Sequence, residues 1–243
     1  MKDNFSQDSG NYGKYRPTYP EELYNYILTK VKNTEMAWDC ATGNGQVASK
    51  LSDYFKKVEA TDLSENQLNH AIKRSSITYS KQLAETTNFP DSHFDLITVG
   101  QALHWFDFDA YFKEVKRVLK PEGVFVAFGY GLNSVSPAVN EIINDFYHNT
   151  IGPYWDEERR YIDDQYQSIN FPFSHIEHRK FEYQVAWNVN HYMGYLNTWS
   201  AVKHFIKANN FNPVDELVEQ LFEPWGKGQR TVVFPIFLVR AYN

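Results

Sequence analysis

Apolar residues recur along this chain in two rhythms: short runs suited to strands, and sets spaced by three and four that suit helices packed on a sheet. Met36-Ala37-Trp38 opens a first strand. Residues 46–55 follow with Val47, Ala48, Leu51 and Phe55 at helical spacing. Val58-Glu59-Ala60-Thr61 reads as a second strand. Ser64 then caps a helix expected to run to about Arg74, with Leu68, Ala71 and Ile72 turned inward. Ile77-Thr78-Tyr79 is a short third strand, and the near-continuous apolar run 93–99 suits a fourth covered on both faces. A helix over 107–119 buries Phe108, Phe112, Val115 and Leu119. Lys120-Pro121-Glu122-Gly123 makes a turn, and 124–128 is a fifth strand. Upstream, Pro20 opens a helix with Glu21 and Glu22 in its first turn and Leu23, Tyr26, Ile27 and Leu28 on its buried face. This alternation predicts an α/β fold with a doubly wound, mostly parallel sheet.

Beyond Gly131 the rhythm changes. Segments 135–149 and 154–166 look helical but poorly capped, 181–189 could be a strand, 192–208 a helical pair and 213–222 a further helix. A β-branched and aromatic stretch, 231–242, closes the chain as a seventh strand. The expected organisation is an N-terminal arm or lid (1–20), an α/β core (21–131), a helical cap and substrate-binding insertion over the ligand edge of the sheet (132–230), and a closing core strand (231–243). The arm gathers Tyr12, Tyr15, Arg16, Pro17, Tyr19 and Pro20, and its prolines stiffen it. A tyrosine-rich tail is the plain reading; a lid over a pocket, with Arg16 offering a bidentate contact to a carboxylate, is the functional one.

Composition narrows the classes. The chain has 243 residues, 42% of them hydrophobic, which suffices for one large domain, and its 18 Phe, 17 Tyr and 6 Trp exceed what a core alone needs. An apolar or planar substrate and an aromatic-rich lineage explain that surplus equally. The net charge of −6, with acids and bases interleaved, leaves no electrostatic footprint for nucleic acid. The single cysteine, Cys40, falls in the first strand and reads as a core residue. No apolar run reaches the length of a membrane span and no signal segment is visible, so the expectation is a soluble, cytoplasmic protein without membrane partners. Oligomeric state is not legible.

The candidate chemistry sits at Trp38-Asp39-Cys40-Ala41-Thr42-Gly43-Asn44-Gly45. Small residues at 41, 43 and 45 let backbone approach a ligand and take dihedrals that a Cβ disfavours, and the helix behind the loop presents its N–H groups. Asp62 ends the second strand 17 positions after Gly45 (62 − 45), close to the offset at which a carboxylate grips ribose hydroxyls. Loop and acid together imply an adenosine-type ligand. The nicotinamide pattern Gly-x-Gly-x-x-Gly fits poorly, because 46–48 is Gln-Val-Ala.

Asp39-x-Ala41-x-Gly43-x-Gly45 resembles motif I of the class I S-adenosylmethionine-dependent methyltransferases, with Ala41 where glycine is more usual. Asp62-Leu63-Ser64, Ala84-Glu85 before Phe89-Pro90, Phe94-Asp95-Leu96-Ile97 followed by Gln101 to Phe106, and Lys120-Pro121-Glu122-Gly123 resemble that family's later motifs in order. The opening Tyr-x-x-Tyr-Arg-Pro-x-Tyr-Pro and His104-Trp105 further resemble the subgroup containing trans-aconitate methyltransferase. The resemblance implies a seven-stranded Rossmann-like fold and S-adenosyl-L-methionine as cofactor. It implies that Asp39, Ala41, Gly43 and Gly45 meet the methionine end, Asp62 the ribose, and Leu63 and Ala84 the adenine. Gln67, Glu85, Gln101 and the backbone after Val99 would complete the cofactor site. Taken singly, Asp39 could instead cap the loop, Glu85 be solvated and Leu63 be core.

The eight histidines show no metal-ligand spacing, and no metal is expected. His104 is the candidate catalytic group: a base if the acceptor is a phenol or hydroxyl, or only a positioning donor if the acceptor is already a carboxylate. Tyr15, Arg16, Tyr19, His104, Trp105, Tyr195 and Trp199, with Phe106 and Ser200, are the candidate acceptor pocket. The expected reaction is O-methylation of a small-molecule carboxylate. The alternatives are N-, C- or hydroxyl O-methylation and, outside that class, a nicotinamide oxidoreductase or a non-catalytic nucleotide-binding module.

Overall fold

The structure is a computed structural model in which residues 15–243 are described; Tyr12 and the rest of the arm over 1–14 lie outside them. Seven strands form one sheet in the order β3-β2-β1-β4-β5-β7-β6. The strands are β1 (Met36–Cys40), β2 (Lys57–Asp62), β3 (Ile77–Lys81), β4 (Phe94–Gly100), β5 (Leu119–Tyr130), β6 (His175–Asn188) and β7 (Gln229–Tyr242). Pairings among β1 to β5 are parallel, and β7 runs antiparallel to both β5 and β6. The chain order reverses between β1 and β4, which opens a crevice at the carboxyl ends of those two strands, the place where open α/β sheets take ligands.

Two apolar cores cover the two faces. One holds Leu23, Ile27, Ala48, Leu51 and Phe128 together with Leu196, Trp199, Val202 and Trp225 of the cap; the other holds Trp38, Cys40, Phe94, Tyr111, Phe112, Phe125 and Tyr166. Helices α1 (Glu21–Leu28), α2 (Gln46–Leu51), α3 (Glu65–Asn69) and α4 (Phe108–Val118) link the first strands, while α5 (Pro137–Asp145) and α6 (Arg160–Asp163) follow β5. Between β6 and β7 come α7 (Val189–Leu196), α8 (Ser200–Asn209) and α9 (Pro213–Trp225). Cys40 is fully buried, and burial pushes its thiol well up, as a core residue requires. Among the described residues no helix is long and apolar enough to cross a membrane.

Several boundaries differ from the pattern-based expectation. The helix expected to reach Arg74 ends at Asn69: the Ile72 amide donates to Asn44 O at 3.0 Å instead of continuing the helix, and the Ile72 side chain stays 43% exposed. The expected turn at 120–123 lies inside β5, which pairs Leu119 with Phe94 and resumes at Val124 after a register shift. In α1 Tyr24, not Tyr26, is buried, because the Tyr26 hydroxyl reaches out to Glu177 at 2.8 Å. β6 starts at His175, earlier than its apolar residues suggest; as an edge strand exposed over most of its length it carries polar side chains on both faces. Segment 154–166 is not one helix but short 3₁₀ turns, then α6, then two consecutive left-handed residues, Gln165 (φ 59°) and Tyr166 (φ 62°).

Candidate functional site

The loop after β1 is built on Asp39. Its carboxylate is 1% exposed and accepts from Thr42 Oγ1 (2.5 Å), from the Ala48 amide at the start of α2 (2.9 Å) and from Thr98 Oγ1 on β4 (3.0 Å). Burial nevertheless outweighs these bonds and raises its pKa to about 6. Asp39 therefore ties strand, loop and helix together from beneath.

Above it the backbone takes left-handed dihedrals at Ala41 (φ 53°), Gly43 (φ 56°) and Gly45 (φ 79°). The two glycines answer different needs. At Gly43 nothing among the described residues lies within 4 Å of where a Cβ would sit, so the loop is open on that side; at Gly45 the left-handed backbone favours glycine, and a Cβ would lie 2.2 Å from the Tyr79 hydroxyl and displace it. Ala41 carries a Cβ through a conformation that costs an L-residue about 1 kcal/mol or more. Ala41→Gly should relieve that cost, less the extra freedom of glycine in the unfolded chain, and stabilise the fold by about 0.5 kcal/mol. A thermal melt would show this as a rise of one or two degrees, roughly, for a domain of this size.

Asp62 faces this loop across the crevice. One carboxylate oxygen accepts the Gly43 amide and the other the Ser64 amide, each at 2.8 Å, so the acid is fixed at the lip of the open space. Ser64 caps α3 by accepting from the Gln67 amide, which leaves Leu63 half-buried beside the crevice and Gln67 buried. Ala84 packs into the core with Trp38 and Phe89. Glu85 accepts the Asp107 amide at 3.2 Å and so caps the approach to α4. Gln101, at φ 55°, bridges β4 and β5: its side chain accepts the Tyr130 amide (2.7 Å) and donates to Tyr130 O (3.2 Å).

Beyond Gln101 lies a narrow pocket with about 30 Å³ of free space, walled by Arg16, Gln101, His104, Trp105, Trp155, Asp156, Arg159, Trp199 and Ser200. Arg16, His104, Trp105, Trp199 and Ser200, from the arm, the β4 end and the cap, are acceptor-pocket candidates from the sequence, whereas Gln101 was expected in the cofactor site. Arg16 donates to Tyr130 Oη (2.7 Å) and to Thr198 O (2.9 Å), strapping the arm to β5 and the cap, so both terminal nitrogens have partners within the fold. Tyr195 is buried behind it, its ring 5.6 Å from the guanidinium. Tyr15 packs edge-on to His191 and Tyr19 edge-on to Phe128, so these two anchor the arm and are not in this pocket's wall.

His104 is 5% exposed, with Nδ1 3.4 Å from Tyr166 Oη and its ring on Trp105. Burial, aided by the positive charge of Arg159, lowers its pKa to about 3, so the imidazole is neutral at physiological pH and a feeble base. Trp155, Asp156, Arg159 and Tyr166 escaped the sequence reading. Their only signal was an aromatic and charged stretch whose helical period failed.

The strand order, the left-handed loop after β1 and an acid at the end of β2 define a Rossmann-like nucleotide-binding fold with a side pocket at the sheet's switch point. A methyltransferase-domain family model matches residues 38–127. A Dictyostelium discoideum protein named as a methyltransferase is 32% identical over 98% of this chain and 94% of its own length. CRG1 of Saccharomyces cerevisiae, a protein named as an S-adenosylmethionine-dependent methyltransferase, is 22% identical over 90% of this chain and 89% of its own length. A solved structure from Anaeromyxobacter dehalogenans, described as a type II methyltransferase, superposes with a TM-score of 0.86 at 32% identity, covering 94% of this chain and 98% of that one. The chain belongs to the class I S-adenosylmethionine-dependent methyltransferases.

Proposed function

We propose that this enzyme binds S-adenosyl-L-methionine over the β1 loop and methylates a carboxylate oxygen of a small molecule held in the pocket beside Gln101. When bound, S-adenosylmethionine supplies an activated methyl group. Gly43 and Asp62 are the residues that fit it, the first through open space over its backbone and the second as an acceptor at the lip of that space. Leu63, Gln67, Ala84 and Glu85 line the side toward the base. Asp39 contributes by holding the loop rather than by touching the ligand, since Thr42, Thr98 and Ala48 occupy its carboxylate. Residues 15–20 of the arm and the helical segments on either side of β6, which itself belongs to the sheet, act as the cover that excludes water from the reacting groups.

One observation carries the choice of acceptor: the pocket's imidazole, His104, is buried against Tyr166 in a wall shared with the Arg159 guanidinium, surroundings that hold it neutral. A phenol or alcohol must lose a proton as it is methylated, and a base this weak takes one poorly near pH 7. A carboxylate arrives already ionised. The pocket also carries two guanidiniums, Arg16 and Arg159, against the single carboxylate of Asp156, a balance that favours an anion. His104 and Gln101 then orient the acceptor by hydrogen bonding, and Trp105, Trp155 and Trp199 fill its apolar sides.

Incubation with labelled S-adenosylmethionine and a panel of small acids, phenols and amines tests the reading; methylation confined to phenols or amines would refute the carboxylate assignment. The pH dependence of kcat/KM offers a second check. With an ionised acceptor and a neutral His104 the profile should be flat from about pH 7 to 8, and an acid limb near 6 that survives His104→Asn belongs to Asp39 beneath the loop. A limb there that disappears in His104→Asn would restore the imidazole as base.

A further inference from the structure

We propose that Arg159 is the residue that receives the acceptor's anionic group, through a guanidinium the fold sets in place before any ligand arrives. The proposal rests on the carboxylate reading above and deepens it.

Arg159 reaches the pocket from the last position of a 3₁₀ turn, Glu157–Arg159. Its side chain is only 18% exposed, and its guanidinium carbon lies 4.7 Å from the centroid of the Trp155 ring and 5.5 Å from that of Tyr147. Nε donates to Tyr147 Oη at 2.8 Å, and Asp163 Oδ1 lies 3.4 Å from the same nitrogen. Tyr147 in turn donates to Asp163 at 2.9 Å. The inner end of the group is thus fixed by a phenol and a carboxylate, while its planar face rests on aromatic rings. Among the described residues the two terminal nitrogens donate to no protein group.

Arg16, which the sequence offers as the carboxylate ligand, contrasts with this. Its terminal nitrogens serve Tyr130 and Thr198 and hold the arm in place. Two arginines meet at one pocket with different duties: one fastens the cover, the other presents a fork whose geometry matches a carboxylate. The rotamer freedom that an arginine loses on binding an anion is here lost on folding, which is how a preorganised site gains affinity.

The chemistry fixes where the effect appears. Methylation removes the acceptor's negative charge, which already declines as the oxygen bonds the methyl and the sulfur leaves, so a cation that grips it binds acid better than ester and favours the ground state over the transition state. Removing Arg159 should therefore raise KM for the acid and leave kcat unchanged or modestly raised. The preference of the wild type for the acid over its methyl ester in binding should shrink by the same factor.

The test compares the wild type with Arg159→Gln, Arg159→Lys and Tyr147→Phe, using labelled S-adenosylmethionine and small carboxylic acids with their primary amides, and following melting temperature and S-adenosylhomocysteine affinity alongside. For Arg159→Gln the expected result is a KM for the acid raised about 30-fold, the size of a lost charged hydrogen-bond pair. The kcat should stay within about threefold, cofactor affinity should not change, and added guanidinium chloride should restore part of the loss. Arg159→Lys should recover some affinity but not the two-point fit. Tyr147→Phe keeps the charge but releases Nε, and should raise KM about threefold, the cost of one ordinary hydrogen bond; it serves if Arg159→Gln does not fold. Acids methylated with a KM indifferent to both Arg159→Gln and Tyr147→Phe would overturn this inference and leave the carboxylate reading standing. A wild type that methylates amines or phenols and no acid would overturn both.

Discussion

Replacing Asp62 by alanine should weaken S-adenosylhomocysteine binding about a hundredfold, the largest loss expected from any single change in the cofactor site. The carboxylate sits at the lip of the crevice and accepts the amides of Gly43 and Ser64, one on each oxygen. On the proposed reading its carboxylate also accepts from the ribose hydroxyls at this edge. Alanine removes those acceptors and leaves two loop amides without their partner, so the loop loses the geometry that the ligand needs. Charge-assisted hydrogen bonds contribute about 1.5–3 kcal/mol each, and a net loss of about 3 kcal/mol corresponds to roughly a hundredfold in affinity. Asp62→Asn, which retains one acceptor oxygen, should fall between the two. Calorimetric titration decides the matter: affinity unchanged in Asp62→Ala would remove this residue from the cofactor site.

The second large effect concerns stability and lies far from the crevice. Arg240, 3% exposed on β7, pairs with Glu177 of the edge strand β6 and donates to Tyr26 O and to Thr29 Oγ1 at the end of α1. Its guanidinium also lies 3.8 Å from the centroid of the Tyr26 ring. One side chain thus joins the first helix to the last two strands. Arg240→Met should cost about 3 kcal/mol: less than the upper range for breaking a buried ion pair, because the Glu177 side chain remains 30% exposed and water screens what is left. For a domain of this length that lowers Tm by roughly 6–12 °C.

The pH dependence of that loss follows from Glu177. Burial pushes its pKa up, but hydrogen bonds from Arg240, Tyr26 and Tyr242 outweigh it and bring the carboxyl down to about 2. A depressed folded-state pKa contributes stability that is complete above the ordinary glutamate value and is lost as pH falls through about 2. The gap in stability between wild type and Arg240→Met should therefore be constant at neutral pH and narrow in acid. A gap that widens below pH 4 would contradict the pairing.

The residues near the crevice show why some of the site was legible and some was not. Asp39, Ala41, Gly43, Gly45 and Asp62 are close in sequence and each has a local reason for its type, so their spacing announced the loop. Even there, spacing could not say that Asp39 faces inward to Thr98 while Asp62 accepts the Gly43 amide, nor that Tyr79 on β3 comes to rest against Gly45. Arg159 lay beyond reach: its surroundings, Tyr147, Trp155 and Asp163, come from a segment without a regular period, and nothing local distinguishes it from Arg160, which points instead to the Tyr161 hydroxyl. Edge strand β6 was cut short for a related reason. Over 175–180 neither face is buried and no alternation is left to read, whereas Phe181, Tyr183, Val185 and Trp187 alternate toward the core.

By itself the sequence determined the alternating α/β order, the parallel sheet and the place of the nucleotide loop, because these follow from short-range periodicity and from the dihedral needs of single residues. Tertiary structure decided the identity of the pocket's working cation, the neutrality of His104 and the strap made by Arg16. Those depend on burial and on partners more than a hundred positions apart, such as Arg16 with Tyr130 and Thr198, and a local pattern carries no record of either.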